Sequence, residues 1–318
     1  MLNNTTLAFI GSGIMAEAMI KGILNNGLTN PGRIIASGPR PERGRDLEER
    51  YGVKGITNNQ KAAQAGDIVI LSIKPQVLPV VLDELRGLIH PHQLVFSIVA
   101  GARTKTIAQG LQHRAIVRVM PNTPAQIGEG MSVWTATAEV PEEQRAQAKA
   151  ILQALGKEVY VEDEEALDMA TAVSGTGPTY VFLMMEALVE AAVHLGFSRR
   201  VAMELVVQTV LGSALFARES GRHLAELRNM VTSPGGTSAE AIYQLEKGGL
   251  RTIISKAVWA AYQKSRLLGE MSSKRGIRST SPLESPGIPT EELTSASHSS
   301  HSGPGLVESE ERGVQASS

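Results

Sequence analysis

Two hydrophobic rhythms divide the chain. From residue 6 to about 161, short apolar runs (TLAFI, RIIAS, DIVILSI, LVFSIV, AIVRVM and MSVWTA) alternate with amphipathic stretches such as AEAMIKGILNN and PEEQRAQAKAILQALG. Strand-like runs separated by helical ones predict βαβ units around a mainly parallel sheet. Past residue 164 the strand-like runs stop, and Ala, Leu, Met and Val recur at helical spacing through ALDMATAV, VFLMMEALVEAAVHLG, RRVAMELVVQTVLGSALFARES and LRTIISKAVWAAYQKSRLL. That pattern predicts a second, all-helical unit. Its VAMELVVQTVLGSALF segment is apolar nearly all round. In so small a unit this predicts burial against a partner subunit as well as against its own core, the alternative being the central helix of a monomeric bundle. After Met271 the chain turns rich in Ser, Pro and Gly and has no aromatic residue, too little apolar surface to offset the entropy of ordering. The expected division is a βαβ unit over 1–162, an all-helical unit that also meets a partner subunit over 163–271, and a disordered tail over 272–318.

Composition narrows the partners. With 318 residues and 42% hydrophobic content, two cores are affordable, since single cores rarely exceed about 250 residues. Lys+Arg number 31 against Asp+Glu 32, and aromatics are 4%, so neither the positive field nor the stacking surface of a nucleic-acid binder is present. The chain has no cysteine, which excludes disulfides and thiolate metal sites and suits a reducing compartment. MLNNTTLAFIGSG lacks a basic region before its apolar residues and reads as a first strand rather than a signal peptide. The apolar stretch from Tyr180 to Leu195 carries Glu186, Glu190 and His194 and falls short of the roughly 20 apolar residues of a membrane span. A cytoplasmic protein with no membrane and no nucleic-acid partner is expected. His298 and His301 in the tail have no further ligands beside them, so no metal site is expected.

The chemistry-bearing residues fall in loops. The first strand runs through Ile10 into Gly11-Ser12-Gly13-Ile14-Met15-Ala16 and then a helix, the strand–turn–helix context of a G-x-G-x-x-A dinucleotide fingerprint. Gly11 permits the tight turn, Gly13 lets a pyrophosphate approach the backbone, and Ala16 lets helix and strand pack closely. The second strand ends in IIASGPRPERGR, without the carboxylate that would hold an NAD ribose. Ser37 and Arg40, with Arg43 and Arg45 nearby, favour a 2′-phosphate and hence NADPH, with NADH as an alternative; the bland reading is a solvated helix start. Further cofactor contacts are expected from Asn59, from Ser72-Ile73-Lys74-Pro75, from Ala100 and Gly101, and from Asn122 in Met120-Pro121-Asn122-Thr123-Pro124, where plain turn chemistry is the competing account. In the helical half, SGTGP at 174–178 and TSPGGTS at 232–238 each offer amides and hydroxyls at a helix N-terminus, an anion site or simply a cap.

MVTSPGGTSAEAIYQLE, AVSGTGPTYVF, VMPNTP and FIGSGIMAEAMIKG together resemble the pyrroline-5-carboxylate reductase family, in order from about residue 6 to 271, the tail excluded. Ser238 stands where the family pattern usually has threonine; the hydroxyl survives. The resemblance implies a homo-oligomer built from dimers and NADPH-dependent reduction of a cyclic imine, 1-pyrroline-5-carboxylate, to L-proline. It also implies that Ser233, Gly235, Gly236, Thr237 and Ser238 bind the substrate carboxylate, with hydroxyls reaching the ring nitrogen. No Arg or Lys lies between Asn229 and Glu246, so an anion held there relies on amides and helix-end charge. A protonated imine needs positioning more than a strong base; Thr176 and Ser238 are expected as donors or orienters. Glu164 is either an electrostatic partner of the iminium or a helix-dipole residue. A β-hydroxyacid dehydrogenase would place a lysine on the first long helix of the second unit, and none occurs between Lys157 and Lys247. A non-catalytic NADP-binding scaffold is the rival from another class, and the intact turns argue against it.

Overall fold

The computed structural model describes Leu2 and residues 4–278, all within one compact unit. Eight strands form one sheet: β1 (Leu7–Ile10), β2 (Ile34–Ser37), β3 (Lys54–Ile56), β4 (Ile68–Leu71), β5 (Leu94–Ser97), β6 (Ile116–Met120), β7 (Gly130–Ala136) and β8 (Gly156–Tyr160). Their order is β3-β2-β1-β4-β5-β6-β7-β8, parallel throughout except for the β6–β7 pair. The strand order is wound in opposite senses on the two sides of the β1–β4 junction, and the carboxyl ends there open a crevice. β1 shows why the strands are so apolar. Leu7 and Phe9 point into one core and Ala8 and Ile10 into the other, so both faces of the pleat are buried. Helices α1 (Ile14–Asn25), α2 (Pro41–Tyr51) and α6 (Glu142–Gln153) cover the first face; α3 (Asn59–Ala65), α4 (Leu78–Leu85) and α5 (Thr104–Leu111) cover the second.

Two strands lie outside the apolar runs of the sequence, β3 (KGI) and β8 (GKEVY). They are the two edges of the sheet, where strands are short and polar because one side meets solvent.

Among the described residues no strand follows Tyr160. The chain continues through α7 (Ala166–Ala170), a π-helical turn (Thr171–Gly175), α8 (Gly177–His194), α9 (Arg199–Ser220), α10 (Leu224–Met230), α11 (Thr237–Lys247) and α12 (Leu250–Arg278). α8 and α9 pack on each other around Val189, Ala202 and Val206. α12 returns to lie against the 171–175 turn, α7, α4 and α5. This helix runs to Arg278, past the expected boundary at 271; the first proline of the tail is Pro282, so no residue of this stretch lacks the N–H that a helix uses. The rest of the expected disordered tail lies outside the described residues.

Candidate active site

The loop after β1 sits at the reversal point. Gly11 has φ +103°, and a Cβ there would lie 2.5 Å from the Ser72 carbonyl oxygen. The Ser72 amide donates to Ile10 O at 2.9 Å and its hydroxyl to Gly11 O at 2.7 Å, so the β1 and β4 loops are bound edge to edge. Gly13 precedes α1 with extended backbone, and no described side chain caps the helix. Its leading N–H groups and positive helix end are therefore available to an anion. Ala16 is fully buried, which seats α1 on the sheet. Ser12, Gly13, Ile14 and Met15 line a cleft of about 750 Å³, together with Arg40, Ser72, Ile73, Lys74, Pro75, Ala100, Met120 and Pro121. Gly13 leaves open space where a side chain would stand; with an uncapped helix end and cations at the rim, the donor set fits a dinucleotide phosphate.

At the second strand's end, the residues divide. Arg40 is exposed and lines the cleft, and no described acid pairs with it. Ser37 is fully buried, its hydroxyl donating to Asn59 Oδ1 at 2.7 Å, and Asn59 Nδ2 donates to Glu84 at 2.8 Å. Neither is among the cleft's lining residues. Ser37 ends a strand buried on both faces, so its hydroxyl takes an internal partner. Arg43 bonds the Ser12 carbonyl at 2.9 Å and pairs with Glu17 and Asp46, bracing the phosphate loop. Burial works against charge on Glu17, but Arg43, Tyr51 and Arg50 outweigh it and hold the carboxyl below its usual range. Arg45 lies 3.8 Å from Glu42 at the surface.

Two expected cofactor residues act as braces in this geometry. Gly101 has φ +72°, and a Cβ on it would approach Gly269 N to 3.2 Å, so its bareness admits α12. Asn122 donates to Ser174 O at 3.1 Å and accepts from Met131 N at 2.8 Å, joining the loop after β6 to the π-helical turn.

In the helical half, the Thr176 amide and hydroxyl both donate to Thr171 O at 2.8 Å; the hydroxyl oxygen keeps its lone pairs. Ser233 and Gly235 are exposed in the turn before α11, and Gly236 precedes Thr237 and Ser238 at the helix start with no side-chain cap. None of these residues lines the cleft of its own chain. Glu164 is engaged by residues of two other elements. Its carboxylate accepts from Thr104 N at 2.8 Å, Thr104 Oγ1 at 2.9 Å and Arg118 at 2.8 Å. It caps α5, a distant helix, and its oxygens are already engaged. The sequence reading passed over the buried Arg118 and Asp168; the signal was a charge inside each of the apolar runs AIVRVM and ALDMA.

The profile of the pyrroline-5-carboxylate reductase dimerisation family matches residues 164–268. A second, described as NADP oxidoreductase, coenzyme F420-dependent, matches residues 6–101. A pyrroline-5-carboxylate reductase of Synechocystis sp. is 42% identical over 83% of this chain and 98% of its own; that of Escherichia coli is 36% identical over 83% and 98%. The solved structure of a pyrroline-5-carboxylate reductase from Coxiella burnetii superposes with TM-score 0.77 at 37% identity, covering 84% of this chain and 99% of that one. The Plasmodium falciparum enzyme, solved with NADP bound, gives TM-score 0.77 at 30% identity, over 84% and 99%. Fold and cleft together define a dinucleotide-dependent oxidoreductase with an N-terminal Rossmann-type domain and a C-terminal helical dimerisation domain. Within that class, the chain belongs to the pyrroline-5-carboxylate reductase family.

Proposed function

We propose that this chain reduces 1-pyrroline-5-carboxylate to L-proline with NADPH, NADH serving as an alternative donor. The observation that carries the reading is a pair of uncapped helix N-termini, α1 at Gly13 and α11 at Gly236. One suits a pyrophosphate and the other a carboxylate. When bound, the dinucleotide supplies the hydride that the imine carbon accepts. In our reading Ile10 to Ala16 hold its pyrophosphate, Arg40 its 2′-phosphate, and Ser72 to Pro75 with Ala100 wall its cleft. The amides of Thr237 and Ser238, with Ser233, Gly235 and Gly236, hold the substrate carboxylate. Hydroxyls of Thr176 and Ser238 orient the ring nitrogen and keep its proton in place, so the protein's work is chiefly positioning.

Because the 233–238 turn does not line its own chain's cleft, we infer that it serves the cleft of a partner protomer. Dimers, and larger assemblies built from them, then follow from the helical half, with the functional boundary at 162/163. This also accounts for α9, which is long and apolar enough to cross a membrane by length and composition, yet is only 11% buried over its apolar window. We place the protein in the cytoplasm. The test follows NADPH and NADH consumption by the full chain with pyrroline-5-carboxylate and identifies the product. Saturable turnover to proline is expected; cofactor binding without turnover would overturn the assignment. Ser238→Ala should lower kcat roughly tenfold, the worth of about one hydrogen bond; unchanged turnover would remove Ser238 as donor.

A further inference from the structure

One buried carboxylate joins four separate elements. Asp168, on α7, is 1% exposed. Its Oδ2 accepts from Arg103 at 2.7 Å, and its Oδ1 accepts from the Ser265 hydroxyl at 2.9 Å and lies 3.5 Å from Arg118. Arg103 immediately precedes α5, after the Ala100–Gly101 loop; Arg118 is in β6, whose end carries Met120; Ser265 is on α12. Arg118 also bonds Glu164 at 2.8 Å, and Glu164 caps α5 through Thr104. Two cations and two carboxylates thus neutralise one another beneath the cleft.

Such a cluster is a poor source of stability, because apolar side chains of similar volume do as well without the cost of desolvating four charges. What it supplies is direction, since each bond fixes an angle that an apolar contact leaves free. The elements it fixes are those that border the cleft. Ala100 and Met120 line it. The 171–175 turn begins three residues after Asp168 and touches the same loops: a Cβ on Gly175 would lie 2.5 Å from Met120 Cε, and Asn122 bonds Ser174 O. Thr176 closes that turn through Thr171 O.

We infer that Asp168, through Arg103, Arg118 and Ser265, is a positioning residue that sets the Thr176 turn over the Ala100 and Met120 walls of the cofactor cleft. It touches neither substrate nor cofactor. The inference rests on the reductase reading above. Asp168→Asn leaves Arg103 and Arg118 without their shared anion, and the turn is then free to shift. A displacement of about 1 Å at the reacting centre corresponds to a loss on the order of 100-fold in kcat.

The test compares the full-length unmodified protein, Asp168→Asn and Ser265→Ala. For Asp168→Asn we expect kcat to fall on the order of 100-fold while the NADPH dissociation constant, read by fluorescence titration, stays within about threefold, a change under 1 kcal/mol. The amides of residues 171–176 should exchange hydrogen faster in the free protein. Ser265→Ala keeps both ion pairs and removes one hydrogen bond to the carboxylate, so it should show the same pattern with a smaller loss, on the order of tenfold; it remains informative should the charge variant fail to fold. An active parent with unchanged kcat in both variants overturns the inference, as does a loss of NADPH affinity parallel to the loss of kcat. An inactive parent that still binds NADPH refutes the reductase reading itself, and the positioning role with it.

Discussion

Phe9 and Phe96, in the sheet half, are fully buried, whereas Phe182 and Phe216, in the helical half, are 62% and 51% exposed. The same contrast runs through the aliphatic residues. Both faces of the sheet carry continuous cores, while among the described residues α8 and α9 enclose one small cluster of Val189, Ala202 and Val206, and the helices leave Leu183, Leu211, Ile253 and Trp259 about half exposed or more. Single apolar side chains on a surface need no explanation, but a run of them along successive helices does. The first half is therefore a finished domain. The second is one side of an interface, as the dimerisation profile over 164–268 states independently. The difference teaches that stability and assembly are assigned to different parts of one chain, so substitutions in the two halves should fail in different ways.

The largest effect should come from charging the unfinished surface. Replacing both Phe182 and Leu183 with Glu puts unpaired carboxylates into the interface, at about 3–5 kcal/mol for each buried charge. We expect dissociation to monomers in sedimentation and near-complete loss of turnover, with NADPH binding to the cofactor domain retained. A variant that stays dimeric would place the interface elsewhere. Phe96→Ala should fail in the other way. Loss of a fully buried ring costs about 3–5 kcal/mol of folding stability, measured as a lower urea midpoint, with the assembly of the folded fraction unchanged.

Smaller effects sharpen the cofactor side. Arg40, just after β2, is an exposed cation lining the cleft, while Ser37 is turned inward. Arg40→Ala should cut the preference for NADPH over NADH by about 10- to 100-fold, in line with about 1.5–3 kcal/mol for a hydrogen bond to a charged group. Equal losses with both cofactors would show that Arg40 does not read the 2′-phosphate.

What could be read from sequence follows the range of each constraint. β1, β2, β4 and β5 announce themselves because burial on both faces forces continuous apolar runs. β3 and β8, at the edges, carry Lys54 and the Lys157-Glu158 pair and so resemble loop. The Gly11–Ala16 loop is legible because its demands are local, a positive φ at Gly11 and close packing at Ala16. Glu164 is different. Its partners, Thr104 and Arg118, lie 60 and 46 residues away, and no spacing in an acidic run discloses them. Asn122 and Gly101 present the same difficulty: each sits in a cofactor-type loop, yet each meets the helical half through a contact that exists only after folding.

The smallest effect tests whether the finished half is as well satisfied as it is well packed. His113, between α5 and β6, is 6% exposed, and its Nε2 has no hydrogen-bond partner. Burial pushes its pKa below the ordinary 6.5, against the opposing pull of backbone bonds at Gln93 and Ala115. The sign follows from linkage: with a depressed folded-state pKa, the unfolded chain binds more protons in this range. Stability is then fully present above pH 6.5 and is lost as the pH falls from there through the folded-state value. Urea midpoints taken between neutral and mildly acid pH should decline for the unmodified protein and decline less for His113→Gln, which cannot take up the proton. Parallel declines in the two proteins would assign the acid sensitivity to other groups. A flatter profile in the variant would show that even the closed core of the sheet half carries one group whose solvation is not replaced, and that the two halves differ in degree of satisfaction rather than in kind.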